Sequence, residues 1–395
     1  MKRLRIAIFS DTFLPQMNGV VTSILNQAEG LSRRGNDILI IAPMMSNQEK
    51  YGIGKHNIET MYIKSKKAFF YPEFRISNPF SGKIIKKIKQ FKPDIIHFHT
   101  QFTLGLSSII IAKRLNIPLV GTFHTFISDP KYLKHVYLHS WSKAEKIAWK
   151  YSNFFYRRSD VVVCPSRNAA NELRNAGIKN KITIIPNSIK LKEIANHKNK
   201  KIKLINKKNF NLVYVGRISH EKNVNILLES LKRALSKNSN ITLTLIGKGP
   251  SLKKLKLLSK RLGISKNVAF LGQIDNEVLL KDGLLSYFDT FITASTTENQ
   301  PMSMLEAMAN GLPIIGVNER GVPELVTHMK NGLLVVKDSP EAFAKSILHL
   351  TQNKALQQKL GRESKRRAKH YDYMGITKDL EHLYDTLIKK RVYHK

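Results

Sequence analysis

The sequence predicts an α/β chain of two successive parallel-sheet domains, and three observations carry that prediction. Short runs rich in β-branched residues alternate with helical stretches almost throughout, which is the pattern of parallel sheets covered by helices. The alternation is interrupted once, by a lysine-rich stretch near the middle. At 395 residues the chain is also long enough for two domains that each bury a core.

In the first half the candidate strands are 5–10, 37–42, 95–99, 119–123, 161–165 and 182–186. Each is a short, mostly β-branched run, as expected of strands buried on both faces. Helical stretches such as 20–34 and 105–115 lie between them. Residues 190–209 hold eight lysines, few large apolar residues and no clear period, so they read as a solvated connector. Alternation then resumes, with strands at 211–216, 241–247, 268–272, 290–294, 313–317 and 333–336. The last thirty residues are helical and basic, with no strand after them. The expected organisation is an N-terminal domain over 1–188, a basic connector over 189–209, a second domain over 210–372, and a C-terminal helix over 373–395 that returns to the first domain. Each α/β unit opens with a hydrophobic strand and a glycine-containing turn, so both are Rossmann-like. Ligands in such sheets sit at the carboxyl ends of the strands, and two facing sheets would share one cleft.

Composition is ordinary at 42% hydrophobic and 24% charged residues, but the charge balance is not. Lys and Arg number 66 against 29 Asp and Glu, a formal net charge of +37. The excess is spread evenly: 30 basic and 11 acidic residues up to position 190 give +19, and 36 and 18 beyond it give +18. A surface so basic favours nucleic acid, anionic lipid head groups or phosphorylated substrates, unless the charge serves solubility alone. Cys164 is the only cysteine, so no intrachain disulfide forms and a reducing cytosol is the expected compartment. The start resembles a signal peptide for a few residues, but Asp11 interrupts it; it reads as a buried first strand. No apolar run approaches the ~18 residues that span a bilayer, so any expected membrane contact is peripheral.

Three motifs carry chemistry. Asp11-Thr12-Phe13-Leu14-Pro15-Gln16-Met17-Asn18-Gly19-Val20 is a strand end, a loop and a helix start. Its Asn-Gly pair can adopt left-handed backbone angles, and Gly19 allows a ligand to approach the helix N-terminus, where free N–H groups favour phosphate. In Gly216-Arg217-Ile218-Ser219-His220-Glu221-Lys222-Asn223, two cations five residues apart flank a turn at a strand end. Such cations stabilise the charge that grows on a departing diphosphate. The third is Glu298-Asn299-Gln300-Pro301-Met302-Ser303-Met304-Leu305-Glu306-Ala307-Met308-Ala309. Pro301 suits a first helical position, which leaves Glu298 in the preceding loop and Glu306 about one and a half turns into the helix. Two carboxylates so placed can grip two sets of hydroxyls, on a sugar and on a ribose. Glu306 stands among Met304, Leu305 and Met308, where an unpaired charge is costly. His97 and His99 alternate onto one strand face; without a nearby carboxylate they are weak evidence for metal and read as polar core or acceptor contact.

The Gly216-Arg217 pair, Lys222 five residues on, and two glutamates followed by Ala-Met-Ala-Asn-Gly-Leu-Pro-Ile-Ile resemble the retaining glycosyltransferases of GT-B architecture, glycosyltransferase group 1 or family 4. The likeness covers nearly the whole chain, through 10–21, 94–100, 122–125, 185–188 and 321–324. It implies a fold of two Rossmann-like domains facing across a cleft and a nucleotide-sugar donor as substrate. Carried over by position, Arg217 and Lys222 hold the donor diphosphate, Glu306 the ribose, and Glu298 the sugar hydroxyls. Gly216, Asn299, Gln300 and Met302 join them in the donor site, Gly19 lets the phosphates approach, and His124 sits beside the sugar at the reaction centre. Asn18, His99 and Thr100 are further acceptor or reaction-centre candidates. The resemblance also implies retention of configuration, with the leaving phosphate helping to deprotonate the acceptor; no metal or other cofactor is required where Arg217 and Lys222 supply the charge. One departure is Pro301, where many members have Gly and hence a backbone N–H.

For the acceptor, 80–91 and 131–158 are basic and apolar together, as in helices that lie on anionic membranes or in ordinary amphipathic helices packed on a sheet. With 100–105 and the 13–21 loop they are similar to the diacylglycerol glucosyltransferases of this family. The expectation is a hexosyltransferase moving a hexose, with UDP-glucose as donor, to a membrane lipid such as diacylglycerol at the inner face of the membrane. A soluble sugar or cell-surface polysaccharide is the alternative acceptor. A non-catalytic nucleic-acid-binding protein is the alternative of another class, but no RNA-recognition motif, zinc spacing or basic arm accompanies the charge. A sugar-nucleotide epimerase does not match the glutamate pair.

Overall fold

The computed structural model describes residues 3–45, 57–68, 75–124, 141–194, 206, 208–274, 278–279 and 283–393. The chain divides into two units, Met1–Ser188 with Tyr373–Lys395, and Ile189–Asp372.

The first unit is built on β1 (Arg5–Phe9), β2 (Asp37–Pro43), β3 (Ile58–Ile63), β6 (Ile95–Phe98), β7 (Leu119–Thr122), β8 (Val161–Cys164) and β9 (Lys181–Ile184), in the order β3-β2-β1-β6-β7-β8-β9. All neighbours in it are parallel. A small antiparallel pair, β4 (Ser65–Lys67) and β5 (Arg75–Ser77), stands apart. The side-chain alternation of each strand divides the core in two. Ile6, Ile8, Ile38 and Ile40 pack on one face, and Ala7, Phe9, Leu39 and Ile41 on the other. The sheet is flanked by α1 (Gly19–Arg33), α2 (Gly82–Phe91), α3 (Thr103–Leu115), α4 (Trp141–Tyr156) and α5 (Arg167–Asn175).

The second unit repeats the plan. Here β10 (Phe210–Val215), β11 (Ile241–Ile246), β12 (Val268–Gly272), β13 (Thr290–Thr293), β14 (Ile314–Val317) and β15 (Gly332–Val335) form a sheet in the order β12-β11-β10-β13-β14-β15, again parallel throughout. Its helices include α6 (Val224–Leu235), α7 (Leu252–Arg261), α8 (Met302–Ala309), α9 (Val322–Leu325), α10 (Pro340–Gln352) and α11 (Lys354–Ala368). Counted from its own first strand, the first sheet runs 3-2-1-4-5-6-7 and the second 3-2-1-4-5-6, the doubly wound order whose switch point lies between strands 1 and 4. Both domains are therefore Rossmann-like.

The last helix, α12 (Tyr373–Tyr393), belongs to the first unit. Ile376, Leu380 and Tyr384 join the core that holds α1 and β1. Gly30 explains how closely α12 approaches α1: a Cβ there would stand 2.2 Å from Thr377 Oγ1. Arg34 and Asn36 then bind the buried Glu381 carboxylate at 2.6 Å each.

Three differences from the sequence have local causes. Strand β3, IETMYI, has too little apolar alternation to announce itself because it is a half-exposed edge. The start of the lysine-rich stretch is packed, not solvated. Ile189 is buried and bridges to Asp372, while Leu191 and Ile194 pack on the core of the second unit; residues 195–205 and 207 lie outside the described residues. Finally, α2 buries Ile84 and Ile88 in the first core and keeps its lysines outward. Its apolar face is thus occupied by the sheet.

Candidate active site

In the second unit, the chain leaves β10 and β13 on either side of the switch point. After β10, Gly216 and the half-buried Arg217 lead into a tight turn over His220–Lys222. Asn223 adopts φ +50° and donates its side-chain amide to the Ala294 carbonyl beyond β13, at 3.2 Å. This contact ties the two strand ends together and sets Lys222 beside the opposite loop. Lys222 Nζ lies 2.6 Å from Glu298 Oε1, with side-chain exposures of only 13% and 18%. Burial alone would push the ammonium's pKa down, but the Glu298 charge outweighs it and the pKa is raised. Lys222 is thus a fixed cation.

Close backbone approaches hold both loops. Gly247, at φ +146°, faces the end of β10 so tightly that a Cβ would stand 1.8 Å from the Gly216 carbonyl oxygen. A Cβ on Gly321 would meet the Asn299 carbonyl oxygen at 1.6 Å, and the Gly321 N–H donates to Glu298 O at 3.0 Å. The loop bearing Glu298 is therefore clamped from behind by the turn that leads into α9. Asn299 and Gln300 are buried in it, and Glu306, the fifth residue of α8, is buried at 5% exposure. Ser295 Oγ and Thr297 Oγ1 are buried in the same loop with no hydrogen-bond partner within the protein.

In the first unit, the corresponding loops follow β1 and β6. Asp11 is fully buried and accepts hydrogen bonds from Thr100 Oγ1 and Thr103 Oγ1 at 2.7 Å each and from the Leu104 N–H at 2.8 Å. A carboxylate at a helix N-terminus is favoured, so Asp11 caps α3 and locks the Thr100–Thr103 loop to β1. Asn18 is extended, at φ −147°, and accepts from the Val21 N–H at 3.0 Å. The left-handed turn expected of the Asn-Gly pair is not formed, because Asn18 is used as the N-cap of α1. Gly19 is the exposed first residue of that helix.

Three histidines converge at the ends of β6 and β7, His97 from within β6 and His99 and His124 from the loops that follow. The His97 and His99 rings lie 4.2 Å apart, and His99 Nδ1 is 2.9 Å from His124 Nε2. Burial lowers the His97 pKa to about 3 and the His124 pKa to about 4, and holds His99 well below its ordinary value. All three are neutral near pH 7. His99 Nε2 is buried without a partner, as is Gln101 Nε2.

These two loop systems have counterparts among known proteins. The family described as glycosyl transferases group 1 matches residues 195–367, and that described as Glycosyltransferase Family 4 matches residues 17–193. An alpha-monoglucosyldiacylglycerol synthase of Streptococcus pneumoniae is 30% identical over 84% of this chain and 75% of its own length. The chain belongs to this family of glycosyltransferases. Another alpha-monoglucosyldiacylglycerol synthase, from Acholeplasma laidlawii, is 29% identical over 98% of both chains. The fold matches that of sucrose-phosphate synthase from Thermosynechococcus elongatus with a TM-score of 0.81, at 19% identity over 98% of this chain and 100% of that one. HepE of Anabaena, solved in complex with UDP-glucose, matches with a TM-score of 0.75 at 19% identity, over 97% of this chain and 100% of that one.

Within this glycosyltransferase, some expected site residues take other parts than their motif suggested. Pro301 is the N-cap of α8 and Met302 the first helical residue, because the extended Pro301 backbone (ψ 124°) delays the helix by one position. The Met302 side chain is in the core, leaving its backbone as the part that faces outward from the helix start. The cap on α3 by Asp11, the glycine clamp at 321 and the contact of His97 with Tyr384 carry no motif in the sequence. A buried acid at the end of a first strand was the one available signal, for Asp11. Among the described residues, no group of three or more His, Cys, Asp or Glu is placed to hold a metal ion, and no helix is long and apolar enough to cross a membrane.

Proposed function

We propose that the protein is a retaining hexosyltransferase that moves a hexose, glucose from UDP-glucose as the leading donor, to a lipid hydroxyl such as that of diacylglycerol. The observation that carries this reading is the end-to-end likeness, over 98% of both chains, to a protein named as a monoglucosyldiacylglycerol synthase. In this reading the second unit holds the donor. Arg217 and Lys222 take the diphosphate, Glu298 the sugar hydroxyls and Glu306 the ribose. Support for that assignment comes from the partly buried Lys222–Glu298 pair and from the Ser295 and Thr297 hydroxyls, which have no partner within the protein and lie in the loop that bears Glu298.

The first unit holds the acceptor, with Asn18, His99, Thr100 and His124 around its hydroxyl. In the transfer, the bond from the anomeric carbon to the diphosphate oxygen breaks as the bond to the acceptor oxygen forms on the same face. The acceptor proton passes to the departing diphosphate. Neutral imidazoles can orient that hydroxyl without opposing the positive charge that develops on the sugar. Lys222 and Arg217 meet the charge on the leaving group, so this reading includes no metal or other cofactor.

The membrane side of the proposal draws on α4. Ile147, Tyr151 and Phe154 are exposed at helical spacing, and Lys146, Lys150, Arg157 and Arg158 are exposed around them. Arg158 lies 3.8 Å over the Phe154 ring. An exposed apolar row with a cationic border suits the head-group boundary of an anionic leaflet, here proposed as the cytoplasmic face. Residues 131–140, the first part of the expected basic stretch, lie outside the described residues. The test is incubation with labelled UDP-glucose and anionic vesicles, with and without diacylglycerol. Labelled lipid that depends on diacylglycerol is expected. Neither sedimentation with vesicles nor labelled lipid, alongside transfer to a soluble sugar, would replace the lipid by the alternative acceptor; GDP-mannose in the same panel tests the choice of donor.

A further inference from the structure

Both ring nitrogens of His97 are engaged. Its Nδ1 is 2.6 Å from the Tyr384 hydroxyl of α12, and its Nε2 is 2.6 Å from Thr122 Oγ1 of β7. Both His97 and Tyr384 are fully buried. A neutral imidazole has one donor and one acceptor, so these two hydroxyls must take opposite parts. A phenol is intrinsically a stronger donor than an aliphatic alcohol, and burial keeps the Tyr384 hydroxyl protonated by raising its pKa. Tyr384 O–H therefore donates to Nδ1, and Nε2–H donates to Thr122.

His99 and His124 follow His97 in a row of ring contacts. Beyond its bond to His124, His99 has a buried Nε2 without a partner, and it rests on the His97 ring at 4.2 Å with the planes tilted by 35°. The His99 and His124 rings stack at 5.1 Å. Orientation thus passes from His97 through His99 to His124 by ring contact and one hydrogen bond. At the other end, Tyr384 meets His97 edge-on, with centroids 5.8 Å apart and planes at 81°. Its own position is set by the helix. Leu380 and Leu383 are buried in the core, and Glu381 is bound by Arg34 and Asn36.

We infer that Tyr384 is a positioning residue for the transfer reaction: its hydroxyl, supplied by the last helix, holds His97 in the Nε2–H tautomer and thereby fixes the plane on which the His99–His124 pair rests. The inference depends on the assignment of His124 to the reaction centre. The C-terminal helix then does more than complete the first core. It delivers a side chain from 287 residues away that orders the imidazoles beyond β6 and β7.

The test uses the full chain labelled with ¹⁵N-histidine. In the unmodified protein His97 is expected in a single neutral tautomer. Tyr384→Phe should mix the two tautomers, shift the His99 and His124 signals, and lower kcat about tenfold while KM for donor and acceptor stays unchanged. Thr122→Val should keep the Nε2–H tautomer, because Tyr384 still donates to Nδ1. Leu383→Ala should lower Tm and leave the histidine spectrum as it was. An unchanged His97 tautomer in Tyr384→Phe overturns the inference, as does a mixture produced by Thr122→Val alone. The underlying assignment is tested separately with His124→Ala. Full turnover in that variant removes His124 from the reaction centre and the kinetic consequence with it, while the spectra still decide whether Tyr384 sets His97.

Discussion

At the carboxyl ends of the strands of the first unit stand three uncharged imidazoles and an aspartate committed to capping a helix; at those of the second stand a partly buried lysine and glutamate 2.6 Å apart. The first six strands follow the same order in both, 3-2-1-4-5-6, and the first sheet adds a seventh at its edge. Topology therefore decides where each crevice lies but not its chemistry. The difference follows from what each loop does with its charge. In the first unit Asp11 is surrounded by donors from the start of α3, and burial keeps the histidines neutral. In the second, a partly buried lysine and carboxylate pair across the two strand ends, and the pair keeps the lysine charged.

The largest effect should come from breaking the charged pair on its acidic side. Glu298→Ala is expected to lower kcat for hexose transfer by about 10²–10³, while affinity for UDP is retained or increased because Lys222 is released. Steady-state kinetics and calorimetry separate the two. A parallel loss of UDP binding would mean that Glu298, not Lys222, organises the diphosphate side.

In the neutral crevice, Asp11→Ala leaves buried donors from Thr100, Thr103 and the start of α3 without their acceptor. A loss of about 3 kcal/mol in unfolding free energy is expected, read from urea transitions. UDP affinity should not move, since the damage is confined to the first unit.

The histidines sharpen the contrast through pH. Each has a folded pKa below its unfolded value, so the unfolded chain binds the proton first as pH falls. Stability should therefore be full above about pH 6.5 and fall towards pH 4, by about 1.4 kcal/mol per pH unit for each histidine. Thermal unfolding across that window measures the slope, and His124→Gln should reduce it. The Lys222–Glu298 pair has the opposite sense on its lysine side: with a raised pKa, its contribution is complete below about pH 10 and is lost only at more alkaline pH. The smallest change should come from Asn18→Ala, which removes one N-cap bond and costs about 1 kcal/mol with no change in UDP affinity.

Much of this was legible before any coordinates. The strands of both sheets follow from short β-branched runs, and the alternation of Ile6, Ala7, Ile8 and Phe9 onto two faces follows from the period of a strand. Lys222 and Glu298 could be found because each lies in a local motif at a strand end. Their pairing with each other could not, since 76 residues separate them and the turn that aims Lys222 depends on Asn223 reaching Ala294. Asp11, Gly321 and Tyr384 act through contacts distant in sequence, which leave no spacing to read. Strand β3 was hidden for the opposite reason: a half-exposed edge needs little apolar character.

The central assignment is that Lys222 is the fixed cation for a nucleotide-sugar diphosphate in the second unit. Its most direct test is calorimetric titration of the full chain with UDP, comparing the unmodified protein with Lys222→Met at two salt concentrations. The assignment predicts that the variant loses about a hundredfold in affinity and part of its salt dependence, with the first unit's acid-unfolding profile preserved. Equal affinity in the two proteins would contradict it.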